Sequence, residues 1–151
     1  MIDREKFIGY ETPAITVDVE KGQLVAFAKA TGNDDPIYSD EEAARAAGHP
    51  TIPAPPTFAF VLNSLARAKA GPAGNYMAVL GVKVGGFLHG EQAFEYHKTI
   101  YAGDGITMKT KVVDIYDKKN GAMEFVVTTV DAVNQHGELC VRQRCNLVVR
   151  N

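Results

Sequence analysis

The chain has no tryptophan, only two cysteines in 151 residues and no excess of charge of either sign. The missing tryptophan decides nothing. The cysteines, Cys140 and Cys145, are an odd number of positions apart, so on one strand they face opposite sides. That argues against a disulfide between them, and no further cysteine or clustered histidine suggests a metal site. No apolar run approaches the ~20 residues of a membrane span, and Met1 to Glu11 has no apolar signal core. The expected location is therefore cytoplasmic, with no membrane partner. A formal net charge of -2 and a pI near 6.1 argue against a bulk nucleic-acid binder. Internal repeats, linkers and low-complexity tracts are also lacking. A single domain over residues 1–151 with one core is expected from this length.

What is present divides into two halves. In the first, Leu24, Phe27, Ala28 and Thr31 recur at helical spacing, with Asp18 as the expected N-cap and Gly32 as the stop. Ser39-Asp40-Glu41-Glu42 has the form of a capping box, Ser followed three residues later by Glu. It predicts a short helix through Ala43, Ala44 and Ala47, closed by Gly48. Phe58, Val61, Leu62 and Leu65 mark one stripe of a helix ending near Lys69, with Pro56 in its first turn. The Ala-rich, mostly uncharged body of that helix predicts burial on more than one side. Gly71-Pro72-Ala73-Gly74 ends it.

The second half reads as strands. Phe94, Tyr96, Lys98 and Ile100 alternate with Glu95, His97 and Thr99. Ile106 to Tyr116 follows, and Lys119-Asn120-Gly121 predicts a hairpin turn, because Asn-Gly tolerates positive φ. Glu124 to Val133 is the next strand. In the last, Leu139, Val141, Cys145, Leu147 and Val149 share a core face opposite Arg142, Arg144 and Arg150, with Gln143 the polar exception among the inner set. Helices first and an antiparallel meander second imply an α+β domain, with a curved sheet wrapped around one buried helix.

Three stretches then carry a resemblance. They are Gly32-Asn33-Asp34-Asp35-Pro36-Ile37-Tyr38, Ala54-Pro55-Pro56-Thr57-Phe58, and His89-Gly90-Glu91-Gln92-Ala93-Phe94-Glu95-Tyr96-His97 with the following Ala102-Gly103-Asp104. In this order the chain resembles the MaoC-like hot-dog (R)-hydratases and dehydratases. The nearer likeness is to the N-terminal fatty-acid-synthase-type dehydratase branch, which includes non-catalytic subunits of mycobacterial (3R)-hydroxyacyl-ACP dehydratases. The resemblance implies a hot-dog fold and a hydro-lyase acting on acyl-CoA or acyl-carrier-protein thioesters without a cofactor. It also implies a homodimer, or a heterodimer with a MaoC-like catalytic subunit. An isolated hot-dog sheet has a long free edge, which agrees with pairing.

In active relatives the first stretch holds an Asp and, five residues later, a His. Those places here hold Asn33 and Tyr38. Hydrating an enoyl thioester needs a base for water, an acid for the α-carbon and donors for the enolate-like oxygen. Asn33 does not titrate, and a tyrosine starts near pKa ~10. Helix N-termini hold developing negative charge through free N–H groups. Proline has none, so Pro56 supplies no donor, and Thr57 and Phe58 become the candidates for the oxygen site.

Substitute acid–base groups are His49 in the proline-rich loop and the pairs His89 with Glu91 and Glu95 with His97. His136 falls in a turn. Lys83, Lys98, Arg67 and Lys69 are candidates for the phosphates of a coenzyme A or carrier arm. Four functions stay open on these residues, the last of them a pure interaction module with no ligand. One is an acyl-thioester-binding subunit that works with a catalytic partner. Another is a stand-alone hydratase using His49, Glu91 or His97. The third is a hot-dog thioesterase, disfavoured because Thr57 to Leu65 contains no Asp or Glu.

Overall fold

In chain order the elements are α1 (Arg4–Phe7), β1 (Ile15–Asp18), α2 (Lys21–Ala30), a 3-10 turn (Pro36–Tyr38), α3 (Glu41–Ala46) and α4 (Phe58–Ala70). A second 3-10 turn (Gly71–Gly74), α5 (Tyr76–Val79), β2 (Phe87–Tyr96), β3 (Gly105–Lys118), β4 (Met123–Val133) and β5 (Leu139–Arg150) follow. This is a computed structural model that describes residues 1–83 and 85–150. The strands form one antiparallel sheet in the order β1-β3-β4-β5-β2, which leaves β1 and β2 at its edges. The expected α+β architecture, a curved antiparallel sheet with one long helix against it, is what forms.

Local chemistry explains the elements. At the β3–β4 hairpin, Lys119, Asn120 and Gly121 take φ of 55°, 52° and 84°. That left-handed run is the kind Asn-Gly accepts at low cost. On α4, Phe58, Ala59, Leu62 and Ala66 are buried, and these positions fall on one stripe of a 3.6-residue period. They meet Val17, Ile106, Met108, Val130, Ala132 and Val141 from the sheet. A second cluster lies toward the other end, where Phe7 of α1 and Tyr76 and Met77 of α5 pack with Val112, Ile115, Val126 and Leu147.

Several expectations are corrected. Val17 and Asp18 close a strand, Ile15–Asp18, rather than open a helix, because β-branched Ile15, Thr16 and Val17 pair with Met108, Thr107 and Ile106 of β3. Asp18 is therefore no cap; α2 starts at Lys21, and Glu20 before it makes no side-chain cap bond. The cap of α3 is Asp40 and not Ser39: its Oδ1 accepts from the Glu42 and Ala43 N–H groups at 2.7 and 3.2 Å. Helix α4 begins after Thr57, so Pro56 lies outside its first turn. Strand β2 starts upstream at Phe87 and ends at Tyr96 instead of reaching Ile100. There the His97 and Lys98 N–H groups both donate to the Cys140 carbonyl, which takes the chain out of the ladder. Helices α1 and α5, four residues each, had no periodic signal to announce them. Finally, α4 is buried along one stripe only: Phe60, Ser64 and Ala68 on its outer face are exposed and uncharged.

Gln143, the polar residue among the inner positions of β5, is 1% exposed. Its Nε2 donates to the Ala59 carbonyl at 2.9 Å and so ties the first turn of α4 to the sheet. Gln143→Leu, nearly equal in volume, is expected to lower unfolding free energy by about 1 kcal/mol. Urea unfolding should register this as a lower midpoint at unchanged slope.

Candidate functional site

The motif segment is fixed by its own short side chains. Gly32, at φ 69°, ends α2, and the Asn33 N–H returns to the Ala28 carbonyl at 2.9 Å. Asp35 Oδ1 accepts from the Ile37 N–H at 3.1 Å, and Pro36 opens the 3-10 turn. These bonds decide where the two substituted positions go. Tyr38 is half-buried and lines a cavity of about 330 Å³. Asn33 is also half-buried but does not line that cavity.

The proline-rich loop forms another wall. The Ala54 N–H donates to the Ile100 carbonyl at 2.7 Å and the Ala102 N–H to the Ile52 carbonyl at 3.0 Å, so the loop runs beside the chain that leaves β2. His49 enters from this loop, with Nδ1 3.2 Å from the Tyr101 hydroxyl. His97 and Lys98 enter from the end of β2. His97 Nε2 lies 3.1 Å from Glu95 Oε1, in a pair whose side chains are 37% and 64% exposed, so water screens it. Lys98 Nζ is 3.1 Å from Glu138 Oε1. The Glu138 carboxyl sits below the usual carboxylate range because the Asn134 amide and then the Lys98 ammonium hydrogen-bond to it. The cavity thus gathers phenol, imidazole and ammonium groups, and among the described residues no carboxylate lines it.

A second hollow of about 370 Å³ is lined by Phe27, Phe60, Val61 and Phe94 with Thr57, His89 and Gln92. The start of α4 serves both hollows. Pro55, Pro56 and Ala59 face the first, Thr57, Phe60 and Val61 the second. Strand β2 does the same with Tyr96 and Phe94, whose rings stack with centroids 6.0 Å apart.

Two amides connect this region to the sheet. Because the Ala59 carbonyl takes the Gln143 Nε2, Gln143 Oε1 faces Gln92 and accepts from its Nε2 at 3.4 Å. That leaves Gln92 Oε1 buried and without a donor. A buried acceptor without a donor is an exception among buried polar groups.

The helix entry is the other polar point. Thr57 adopts φ 69°, in the left-handed region, and its N–H donates to the Tyr96 hydroxyl at 3.1 Å. The Phe58 N–H is taken by the Pro55 carbonyl at 3.1 Å. The Phe58 side chain is 1% exposed and meets the Phe27 ring edge-on at 5.3 Å. Phe58 is therefore a core residue here and lines neither hollow. Glu91 is exposed on β2 and also lines neither. His89 does not join Glu91: its ring meets Phe60 at 5.6 Å, and its Nε2 is 3.7 Å from Cys145 Sγ. His136 lies in an exposed turn.

The structure does not assemble the four basic candidates into one patch. Arg67 lies over the Tyr76 ring at 5.0 Å, Lys69 donates to the Thr16 carbonyl at 2.8 Å, Lys98 meets Glu138, and Lys83 is exposed elsewhere. Tyr96 and Tyr101 were not singled out as site residues from the sequence. The available signal for Tyr96 was its place two residues beyond Phe94, on the same face of a strand end.

Both cysteines are free. Cys140 is fully buried, and burial pushes the Cys145 thiol up to about 11. At pH 8 only about a thousandth of such a thiol is thiolate, the reactive form. Native protein should therefore label slowly with a thiol reagent at pH 8, and both cysteines should label at once after denaturation. Fast labelling of one native thiol would contradict the burial described.

A family model for the FAS1-like dehydratase domain region matches residues 6–143. The chain belongs to this family. This FAS1-like dehydratase-region chain is 36% identical over 149 residues to a UPF0336 protein of Saccharopolyspora erythraea, covering 97% of this chain and 90% of the relative. It superposes with a TM-score of 0.79 and 26% identity on the crystal structure of a HadBC (3R-hydroxyacyl-ACP dehydratase) complex of Mycobacterium tuberculosis, covering 94% of this chain and 96% of that one. A MaoC-like dehydratase of Rhodospirillum rubrum matches with a TM-score of 0.74 at 21% identity, covering 100% of this chain and 97% of that one. The FAS1-like dehydratase chain accordingly has the hot-dog fold, as the sequence motifs implied. Among its described residues no helix is long and apolar enough to cross a membrane.

Proposed function

We propose that this chain, as a single hot-dog domain, is the acyl-thioester-binding subunit of a (3R)-hydroxyacyl dehydratase or enoyl hydratase. A MaoC-like partner contributes the acid–base pair. The observation that carries this reading is the composition of the cavity: Tyr38 and the loop before α4 line it, Asn33 does not, and among the described residues no carboxylate does. A hydratase needs a proton donor and a proton acceptor that titrate near working pH. Here the two motif positions supply an amide and a phenol, while the apolar second hollow suits an acyl chain.

Two surface features support a partner. The outer face of α4, with Phe60, Ser64 and Ala68, is exposed without charge, and β2 is a free sheet edge with Leu88 51% exposed. The similar HadBC structure is itself a complex of dehydratase subunits. On this reading the working form is a heterodimer and the working place the cytoplasm. A stand-alone hydratase has one observation in its favour, the His97–Glu95 contact at 3.1 Å beside the cavity.

The test is a titration of crotonyl-CoA and a longer enoyl-CoA into purified protein, with hydration followed in parallel. Binding without turnover is expected, with turnover appearing when a MaoC-like subunit bearing the Asp and His is co-purified. Turnover by the protein alone, lost on His97→Gln or His49→Gln, would instead establish the stand-alone enzyme.

A further inference from the structure

From the geometry at the start of α4 we infer that the Tyr96 hydroxyl is the donor that holds the thioester carbonyl oxygen, replacing the backbone N–H that Pro56 lacks. The inference rests on the thioester-binding reading and names the atom that grips the reacting group.

Three observations combine. Pro56 has no N–H, and the Phe58 N–H is committed to the Pro55 carbonyl at 3.1 Å. The Thr57 N–H remains, but it is spent on the Tyr96 oxygen at 3.1 Å. A backbone N–H can only donate, so the tyrosine oxygen is the acceptor in that bond and its own proton is turned elsewhere. Among the described residues nothing accepts that proton, and Tyr96 lines the cavity into which it is free to point. An O–H whose oxygen already accepts a hydrogen bond is the stronger donor for it. The helix-entry N–H thus acts through the phenol and reaches one hydroxyl further into the cavity.

The position of the phenol is held on two sides. Its ring stacks on Phe94 at 6.0 Å with planes 16° apart, and its oxygen is anchored to Thr57. Thr57 keeps φ 69°, a backbone conformation that costs a β-branched residue energy, and the bond to Tyr96 is made from that conformation. Preorganised donors of this kind stabilise charge that develops during reaction. In hydration the oxygen of water bonds to the β-carbon as the partner's base takes the proton water loses; the C=C π pair becomes the bond between the α-carbon and the carbonyl carbon, and the carbonyl π pair moves onto the oxygen. The oxygen's pair then re-forms the carbonyl while the α-carbon takes a proton from the partner's acid. Tyr96 donates a hydrogen bond to the oxygen throughout and transfers no proton; the acid and base are the partner's.

The test compares wild type with Tyr96→Phe, using crotonyl-CoA labelled with carbon-13 at the thioester carbonyl. Tyr96 is 55% exposed, and the change removes one hydroxyl, so the variant retains the fold. Calorimetry gives the affinity, and isotope-edited infrared spectroscopy gives the carbonyl stretch. Wild type is expected to lower the stretch of the bound carbonyl. Tyr96→Phe is expected to bind about tenfold more weakly, the worth of one hydrogen bond, with the stretch back at its solution value. An unchanged downshift in Tyr96→Phe would overturn the assignment while leaving thioester binding intact. Tighter binding by Tyr96→Phe would also overturn it, because Tyr96 would then be blocking the Thr57 N–H rather than relaying it. No binding by wild type would remove the thioester reading itself, and this inference with it.

Discussion

Phe58→Ala is expected to lower the unfolding free energy by about 3–5 kcal/mol, the usual cost of emptying a buried phenylalanine site. Phe58 is 1% exposed, its ring meets Phe27 edge-on, and it sits in the cluster with Leu24, Ile52 and Leu62. Domains of this size are commonly stable by about 5–15 kcal/mol, so the loss removes a large part of the total. Chemical denaturation should show the midpoint falling steeply, with any remaining native fraction still able to bind ligand. A small stability change accompanied by a large loss of thioester affinity would instead return Phe58 to the list of ligand-contacting residues. Because Phe58 opens α4, the same substitution also tests how far the helix entry at Thr57 depends on the core beneath it.

The second large effect is kinetic. With a MaoC-like subunit carrying the intact Asp and His, hydration of crotonyl-CoA is expected to exceed the background rate seen with the chain alone by about 10²–10⁴-fold. That is the range general acid–base catalysis contributes. Asn33 cannot take up a proton, and Tyr38, though it lines the cavity, is a phenol where an imidazole would be matched to neutral pH. Replacing the partner's Asp or His should abolish the gain and leave thioester binding to this chain in place. Equal activity with and without the partner would end the division of labour. The Asn33→Asp, Tyr38→His double variant of this chain is expected to gain little alone, since residue 33 does not line the cavity in this fold.

The strands were legible because alternation and Asn-Gly chemistry are local: β3, β4, β5 and the turn at Lys119 to Gly121 lie within a few residues of where the sequence placed them. What was not legible depends on distant partners. Asp18 has the side chain of a cap, yet β3 claims the preceding Ile15 to Val17 as a strand. Phe58 and Thr57 are adjacent in sequence, but one turns into the core while the other meets β2 through Tyr96. His89 and Glu91 flank a glycine at a bulge in β2, which gives them different surroundings instead of a shared proton. Tyr38 was traceable to the cavity from the motif. Tyr96 was not, because its meaning lies in a hydrogen bond between residues 39 positions apart.

The amides of Gln143 and Gln92 carry a further consequence. Their orientation is dictated from one end by the Ala59 carbonyl, and each amide hands the choice to the next. If α4 drew back far enough to lose that carbonyl, both amides would be free to rotate by half a turn. The buried amide atom of Gln92, behind the apolar hollow, would then change from an acceptor to a donor. The packing distance between helix and sheet therefore sets the hydrogen-bonding polarity of a side chain in the wall of the hollow.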